Sequence, residues 1–308
     1  MKNALMGILF LGFGSLYGAD SFTDFKIQTG ANWSKQESGY VLNHIKGRFT
    51  ELSLEAPVEP KRFYCFSFTG RSVENPQMDR SIRFKIGEKW SYRGYGLGSA
   101  TGEYRQYFYS GAAKSVFIGF FFNEKCNAGI VELSDFKLTP LPNDYRQNNL
   151  FTSGQFEQDG NTPMEWEQTN PNVELSIVKD AGFICGEKSL RIVQKTEKPY
   201  FDVRSTVFPI NGNQKYEISF WGKADKPRQI MAVADIMPPD GKLNQRTAIK
   251  KMFELDTQWK QYQYVINYQW QEQNEQAPEE TTLRFSLTNQ ENQPATVFID
   301  DVSIKMVK

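Results

Sequence analysis

The chain has 308 residues, with 36 Lys and Arg balancing 36 Asp and Glu, a single histidine, and 24 Phe, 14 Tyr and 6 Trp. Balanced charge excludes a strongly basic nucleic-acid footprint, and His44 alone excludes a multi-His metal site or chemistry needing two imidazoles. The length suggests about two domains, and the aromatic content is too high for a disordered chain despite a mean hydropathy of −0.56.

Residues 1–19 read as a secretory signal, with Lys2 as the positive end, an apolar run from Ala4 to Leu16, and Tyr17-Gly18-Ala19 as the exit. Tyr17 fits poorly at the third place before the cut, so cleavage after Gly18 stays open. The apolar run, about 13 residues, is too short to span roughly 30 Å of hydrocarbon. The expectation is a secreted, periplasmic or cell-surface protein, with no membrane insertion after signal cleavage. Cys65, Cys126 and Cys185 are too few for a disulfide scaffold and wrongly spaced for zinc. A Cys65–Cys126 bridge and three free thiols are both compatible with the sequence.

From residue 20 onward the pattern is strand-like. Tyr64 to Phe68, Val116 to Phe122 and Leu283 to Thr288 are short apolar or alternating runs, divided by turn clusters such as Asn211-Gly212-Asn213 and Pro238-Pro239-Asp240-Gly241. No long stretch keeps a helical period, so the predicted class is all-β, with sandwiches or barrels. Pro140 to Asp144 marks a boundary, and the chain then repeats itself. Lys215 to Lys223 lines up with Phe63 to Arg71, Trp259 to Tyr262 with Tyr104 to Tyr107, and Val297 to Ile304 with Val131 to Leu138. Three ordered blocks mean one fold used twice. The predicted domains are residues 20–142 and 149–308, joined by a 143–148 linker. Residues 20–142 carry 16 basic and 13 acidic groups, and 143–308 carry 19 and 23, so neither half calls for a charged partner.

Candidate binding residues are flat apolar rings that could stack on a ligand, with amides, carboxylates or guanidinium groups placed to meet its polar atoms. In the first half, Trp90, Tyr92 and Tyr95 crowd a Gly-rich segment and read either as a ligand rim or protein contact or as a cap on the sandwich end. Phe117 and Phe121 lie on a strand apolar on both faces, which predicts a domain interface. In the second half, Tyr216, Ile218 and Phe220 alternate with Ser219, Trp221 and Lys223, placing Trp221 on the face opposite the core. Asp235 and Arg246 are candidate polar partners for it, and Trp270 heads a polar loop and is a candidate rim contact. Trp259 and Tyr262 read as structural. No motif singles out a catalytic carboxylate pair, a nucleophile elbow beside His44, or a phosphate loop, so the chain is read as not an enzyme.

Asn149 to Phe151 through Phe156-Glu157, Gly186 to Ile192, Tyr216 to Ala224, Trp259 to Tyr262 and Val297 to Val302 resemble successive blocks of the family 4/9 carbohydrate-binding modules. The first half is similar more loosely, through Tyr64 to Arg71 and Val131 to Leu138. The resemblance implies two tandem antiparallel β-sandwich domains of jelly-roll, galactose-binding-like form. It also implies a polysaccharide or glycan as partner, recognised on a sandwich face, with cleavage left to a separately encoded glycoside hydrolase. The rival reading is a structural or adhesive surface protein using the same sandwiches for protein contacts. Carried over residue by residue, the resemblance implies a structural Ca²⁺ in the second half, held by Glu157 and Asp301 with main-chain carbonyls. Asp135 matches Asp301, whereas Lys26 takes the place of Glu157, which predicts a Lys26–Asp135 ion pair instead of metal in the first half.

Overall fold

A computed structural model describes residues 20–21, 25–27, 32–73, 80–94, 97, 101–122, 128–158, 163–168, 172–179, 186–197, 202–237, 247–268, 281–289, 291 and 293–307. Residues 1–19, read above as a signal, and Tyr95, Cys126, Cys185, Arg246 and Trp270 lie outside these residues. No helix among the described residues is long and apolar enough to cross a membrane.

Short alternating runs bounded by turn residues form strands throughout. The first half holds β1 (Asp20–Ser21), β2 (Lys26–Ile27), β3 (Trp33–Lys35), β4 (Gly39–His44), β5 (Thr50–Pro57) and β6 (Phe63–Ser72). It continues with β7 (Arg80–Ile86), β8 (Lys89–Gly94), β9 (Gly102–Tyr109), β10 (Ser115–Phe122) and β11 (Gly129–Pro140). After a 3-10 turn at Tyr145–Gln147 come β12 (Trp166–Gln168), β13 (Val173–Lys179), β14 (Lys188–Gln194), β15 (Asp202–Pro209) and β16 (Lys215–Ala224). The chain ends with β17 (Arg228–Met237), β18 (Thr247–Leu255), β19 (Lys260–Asn267), β20 (Thr282–Asn289) and β21 (Ala295–Met306).

These strands make four antiparallel sheets in two sandwiches. In the first, β3-β4-β11-β6-β9, with β1 beside β11, packs on β2-β5-β10-β7-β8. In the second, β13-β14-β21-β16-β19 packs on β12-β15-β20-β17-β18, so the order repeats strand for strand. Details repeat too. Tyr64 Oη accepts the Glu59 N–H at 2.8 Å, and Tyr216 Oη accepts the Asn211 N–H at 3.0 Å. Asp135 and Asp301 interrupt the last strand of each copy with positive φ, 53° and 46°, a conformation Asp tolerates better than most residues.

The cores are aromatic in the first copy and mostly aliphatic in the second. Phe66, Phe68, Phe84, Phe120, Phe122 and Phe136 are almost fully buried, and burying each such ring contributes about 1.5–3 kcal/mol. His44 is buried among them, its Nδ1 3.0 Å from Thr50 Oγ1 and its ring 5.8 Å from Phe122. It is a core histidine.

The sandwiches meet at a joint that lies elsewhere than Phe117 and Phe121. The outward side of β6 and β9 supplies Phe63 and Tyr107, which share one apolar cluster with Tyr145, Phe151, Trp166 and Phe208 of the second half. The Tyr107 ring lies 5.4 Å from Phe208 and 5.8 Å from Tyr145, and Phe63 lies 5.6 Å from Tyr145. At its centre Glu165 is fully buried. Its carboxylate accepts the Tyr107 hydroxyl at 2.5 Å, the Thr152 hydroxyl at 2.9 Å, and the Ser153 hydroxyl and amide at 2.7 and 2.9 Å. Main-chain and side-chain bonds close the seam: Arg105 N–H to Met164 O at 3.2 Å, and the Thr206 hydroxyl to Gln106 Oε1 at 2.9 Å. Phe121, expected at the interface, packs within its own sandwich, 5.7 Å from Phe49 and under the Arg83 guanidinium at 4.0 Å. A strand apolar on both faces misled because rings on its outer side are satisfied by a cation and a neighbouring ring.

Cys65 is a free thiol on the joint side of β6, and burial pushes its pKa up to about 12. Lys26 makes no ion pair with Asp135 among the described residues. It lies on β2, which pairs with β5 in the other sheet and corresponds to β12, so it does not take the place of Glu157.

Candidate functional site

Trp221 stands on the outer face of the β16 sheet, as alternation predicts, since Phe220 and Gly222 on either side turn inward. The register completes its surroundings. Trp221 pairs with Gln261 of β19 and Asp300 of β21, while Lys223 pairs with Phe298, which in turn pairs with Arg191 of β14. Trp221, Lys223, Trp259 and Phe298 are all half-buried. The Lys223 ammonium sits 4.9 Å from the Trp259 ring centroid and 5.1 Å from that of Phe298. A cation held between two rings keeps both rings upright and contributes about 0.5–1 kcal/mol at an exposed site. Trp259, read from sequence as structural, belongs to this face. Tyr262 keeps the structural role, its ring stacked 5.5 Å from Phe220 in the core and its hydroxyl donating to Glu254 O at 2.9 Å.

Asp235 does not join Trp221. The turn at Asp225–Pro227 carries the chain from β16 to β17 in the opposite sheet, so residues fourteen apart in sequence stand on opposite sides of the sandwich. Asp235 is 5 % exposed and lies in register with Arg284 on β20 and Ala248 on β18. Its row holds two charged groups where the first copy holds a ring and one charge, because Arg284 corresponds to Phe117 and Asp235 to Lys85. Trp90 and Tyr92 lie on β8, paired in register with Lys85 and Arg83.

The segment that carries Glu157 runs beside the last strand, with Gly154 O accepting the Val302 N–H at 2.9 Å, next to Asp301. Glu157 Oε1 accepts the amides of Glu187 and Lys188, each at 2.8 Å. The Lys188 ammonium bonds Gln158 O at 2.8 Å and Glu157 O at 3.3 Å. Carboxylates and carbonyls of this kind are the oxygen donors that a hard divalent cation takes. Among the described residues no group of three or more His, Cys, Asp or Glu converges, so any such shell would rest largely on main-chain oxygens.

Phe298 and Glu165 carry much of this architecture and were not singled out from sequence, while Lys223 was placed on the Trp221 face by alternation but not read as a site residue. The signal for Phe298 and Lys223 is the strand register, which a lone sequence does not supply.

Residues 148–293 match the family described as Carbohydrate binding domain. No curated protein matches the sequence. Among solved structures, the tandem CBM22-1–CBM22-2 domain of Paenibacillus barcinonensis Xyn10C is 14% identical, with 94% of this chain and 97% of that one covered and a TM-score of 0.40. TmCBM61 in complex with β-1,4-galactotriose is 14% identical over 52% of this chain and 99% of that one, with a TM-score of 0.36. A CBM4 structure is 20% identical over 51% and 99%, with a TM-score of 0.35. Residues 148–293, which span the second sandwich up to its last strand, are thus similar to the carbohydrate-binding domains of this family.

Proposed function

We propose that the protein is exported and binds a polysaccharide or glycan without cleaving it, holding the sugar on the Trp221 face of the second sandwich. The observation that carries this reading is the set of half-buried rings on that face, Trp221, Trp259 and Phe298, with the Lys223 ammonium fixed between two of them. Flat rings offer the C–H face of a pyranose an apolar partner, and Lys223, Gln261 and Arg191 lie close enough in register to meet its hydroxyls. The family match over the same sandwich supports the reading. Cleavage belongs, in this reading, to a separately encoded glycoside hydrolase. Ca²⁺ is part of the proposal as a structural ion held by Glu157 and Asp301. The Lys188 ammonium, now on the Glu157 and Gln158 carbonyls, would have to give way to it.

The test is a glycan and polysaccharide binding screen of residues 20–308, with and without calcium, alongside Trp221→Ala. Saturable binding that weakens about tenfold or more in the variant, equivalent to about 1.4 kcal/mol, is expected. Folded protein that binds no glycan overturns the reading and favours a surface role through protein contacts.

A further inference from the structure

We propose that the first sandwich carries a second ligand site, a polar cleft on the outer side of its β4-β11-β6 sheet, that takes one neutral sugar unit. This rests on the carbohydrate reading above but places the ligand at a different spot in a different domain. The cleft measures about 320 Å³, at the lower end of small-molecule sites, which suits one ring or the end of a chain.

The backbone makes the cleft. At Gly39, β4 approaches β11 so closely that a Cβ would fall 2.2 Å from Leu133 O and 2.8 Å from Ser134 Cβ. No side chain can stand there, and a notch opens between the turn at Gln36 and Ser38 and the hydroxyls of Thr69 and Ser134. Its charged pair is Arg71 and Glu132, cross-strand neighbours joined from Nε to Oε2 at 2.5 Å. That bond uses one guanidinium donor and one carboxylate oxygen. It leaves donors and an acceptor side by side, the set a vicinal diol satisfies. The opposite charges cancel, so a neutral sugar is favoured over a uronate or a phosphorylated one. Arg71 and Glu132 are 42% and 37% exposed, open to a ligand.

The second sandwich supplies an independent observation. Thr69, Arg71, Glu132 and Ser134 correspond through strand order and register to Trp221, Lys223, Phe298 and Asp300. The same spot on the fold is thus a polar notch in one copy and a ring platform in the other. One copy is fitted to the hydroxyl edge of a sugar and the other to its C–H face.

The experiment titrates residues 20–308 with the methyl glycosides of glucose, galactose, xylose and mannose, followed by saturation-transfer NMR and calorimetry. Arg71→Ala, Thr69→Trp and Trp221→Ala are measured in parallel, with circular dichroism to confirm folding. The expected result is methyl-glycoside binding that Arg71→Ala weakens about tenfold and that Thr69→Trp, which fills the notch, blocks, with Trp221→Ala leaving it intact. Should both first-sandwich variants bind like the parent while Trp221→Ala loses binding, the cleft is overturned and the Trp221 reading stands. Loss in Arg71→Ala with none in Trp221→Ala sustains the cleft, and the polysaccharide screen with Trp221→Ala decides the platform separately. Parent protein that binds none of the four glycosides overturns the cleft, and its response in the polysaccharide screen then decides the platform separately.

Discussion

The two sandwiches share strand order, tyrosine corner and bulged last strand, and differ most on their outer faces. The β16 sheet of the second shows Trp221, Trp259 and Phe298, while the matching sheet of the first shows Thr69, Arg71, Glu132 and Ser134. The other pair of sheets reverses the contrast, with Phe117 and Phe121 in the first copy against Arg284 and Thr288 in the second. Inward positions stay buried and mostly apolar while exchanging rings for aliphatic side chains, because each must fill a close-packed core. Outward positions answer to ligand or neighbour instead, so the duplication shows which residues serve folding and which were free to specialise.

The largest break in the symmetry is the joint, and Glu165 is its test. Glu165→Ala strands the Tyr107, Thr152 and Ser153 donors in a dry seam, where each unsatisfied group costs about 1–3 kcal/mol. A loss of about 3 kcal/mol or more in urea unfolding of the whole chain is expected. A loss under about 1 kcal/mol would mean that the sandwiches do not depend on this seam.

Alkali probes the same seam more gently. Burial, reinforced by the Glu165 carboxylate, holds the Tyr107 and Tyr145 phenols well above their usual range. The unfolded chain releases these protons near pH 10 and the folded one later, so above that pH the folded state binds more protons. Stability is therefore full below about pH 10 and falls as pH rises beyond it. Tyr107→Phe should start less stable and decline less steeply between pH 10 and 11.5, as read by urea midpoints. Equal slopes would show that Tyr107 ionises alike in the folded and unfolded chain, so that burial at the seam does not hold its proton.

Lys223→Ala sharpens the contrast between the faces. Removing the cation from between Trp259 and Phe298 should weaken glycan binding by about two- to fivefold, in line with about 0.5–1 kcal/mol, and hardly change stability. Unchanged affinity would mean that the rings need no such support.

How far these features could be read from sequence follows the range of the interactions. The inward set Tyr216, Ile218 and Phe220 and the outward Trp221 were legible because alternation is local, and the duplication was legible because it recurs in order. The grouping of Trp221 with Asp235 failed because one turn at Asp225–Pro227 moves the chain to the opposite sheet, which alternation cannot register. The joint was illegible because Glu165 stands in an unpatterned run, and its partner Tyr107 lies 58 residues earlier. Strand alternation turns Phe63 and Tyr107 outward, and the second sandwich is what covers them.

Asp135 and Asp301 offer the finest comparison, since both hold a left-handed bulge on the last strand and only one faces the Glu157 segment. Glycine adopts this conformation without a Cβ penalty but loses more freedom on folding, so Asp135→Gly should change stability by less than about 0.5 kcal/mol, with or without calcium. Asp301→Gly removes the same backbone constraint together with a carboxylate proposed for Ca²⁺. If Ca²⁺ binds there, millimolar calcium raises the melting temperature of the parent and of Asp135→Gly but not of Asp301→Gly, because only an ion bound to the native state stabilises it. A parent that ignores calcium leaves the two aspartates equivalent, each present for its tolerance of the bulge, and the Lys188 ammonium as the resident cation beside Glu157.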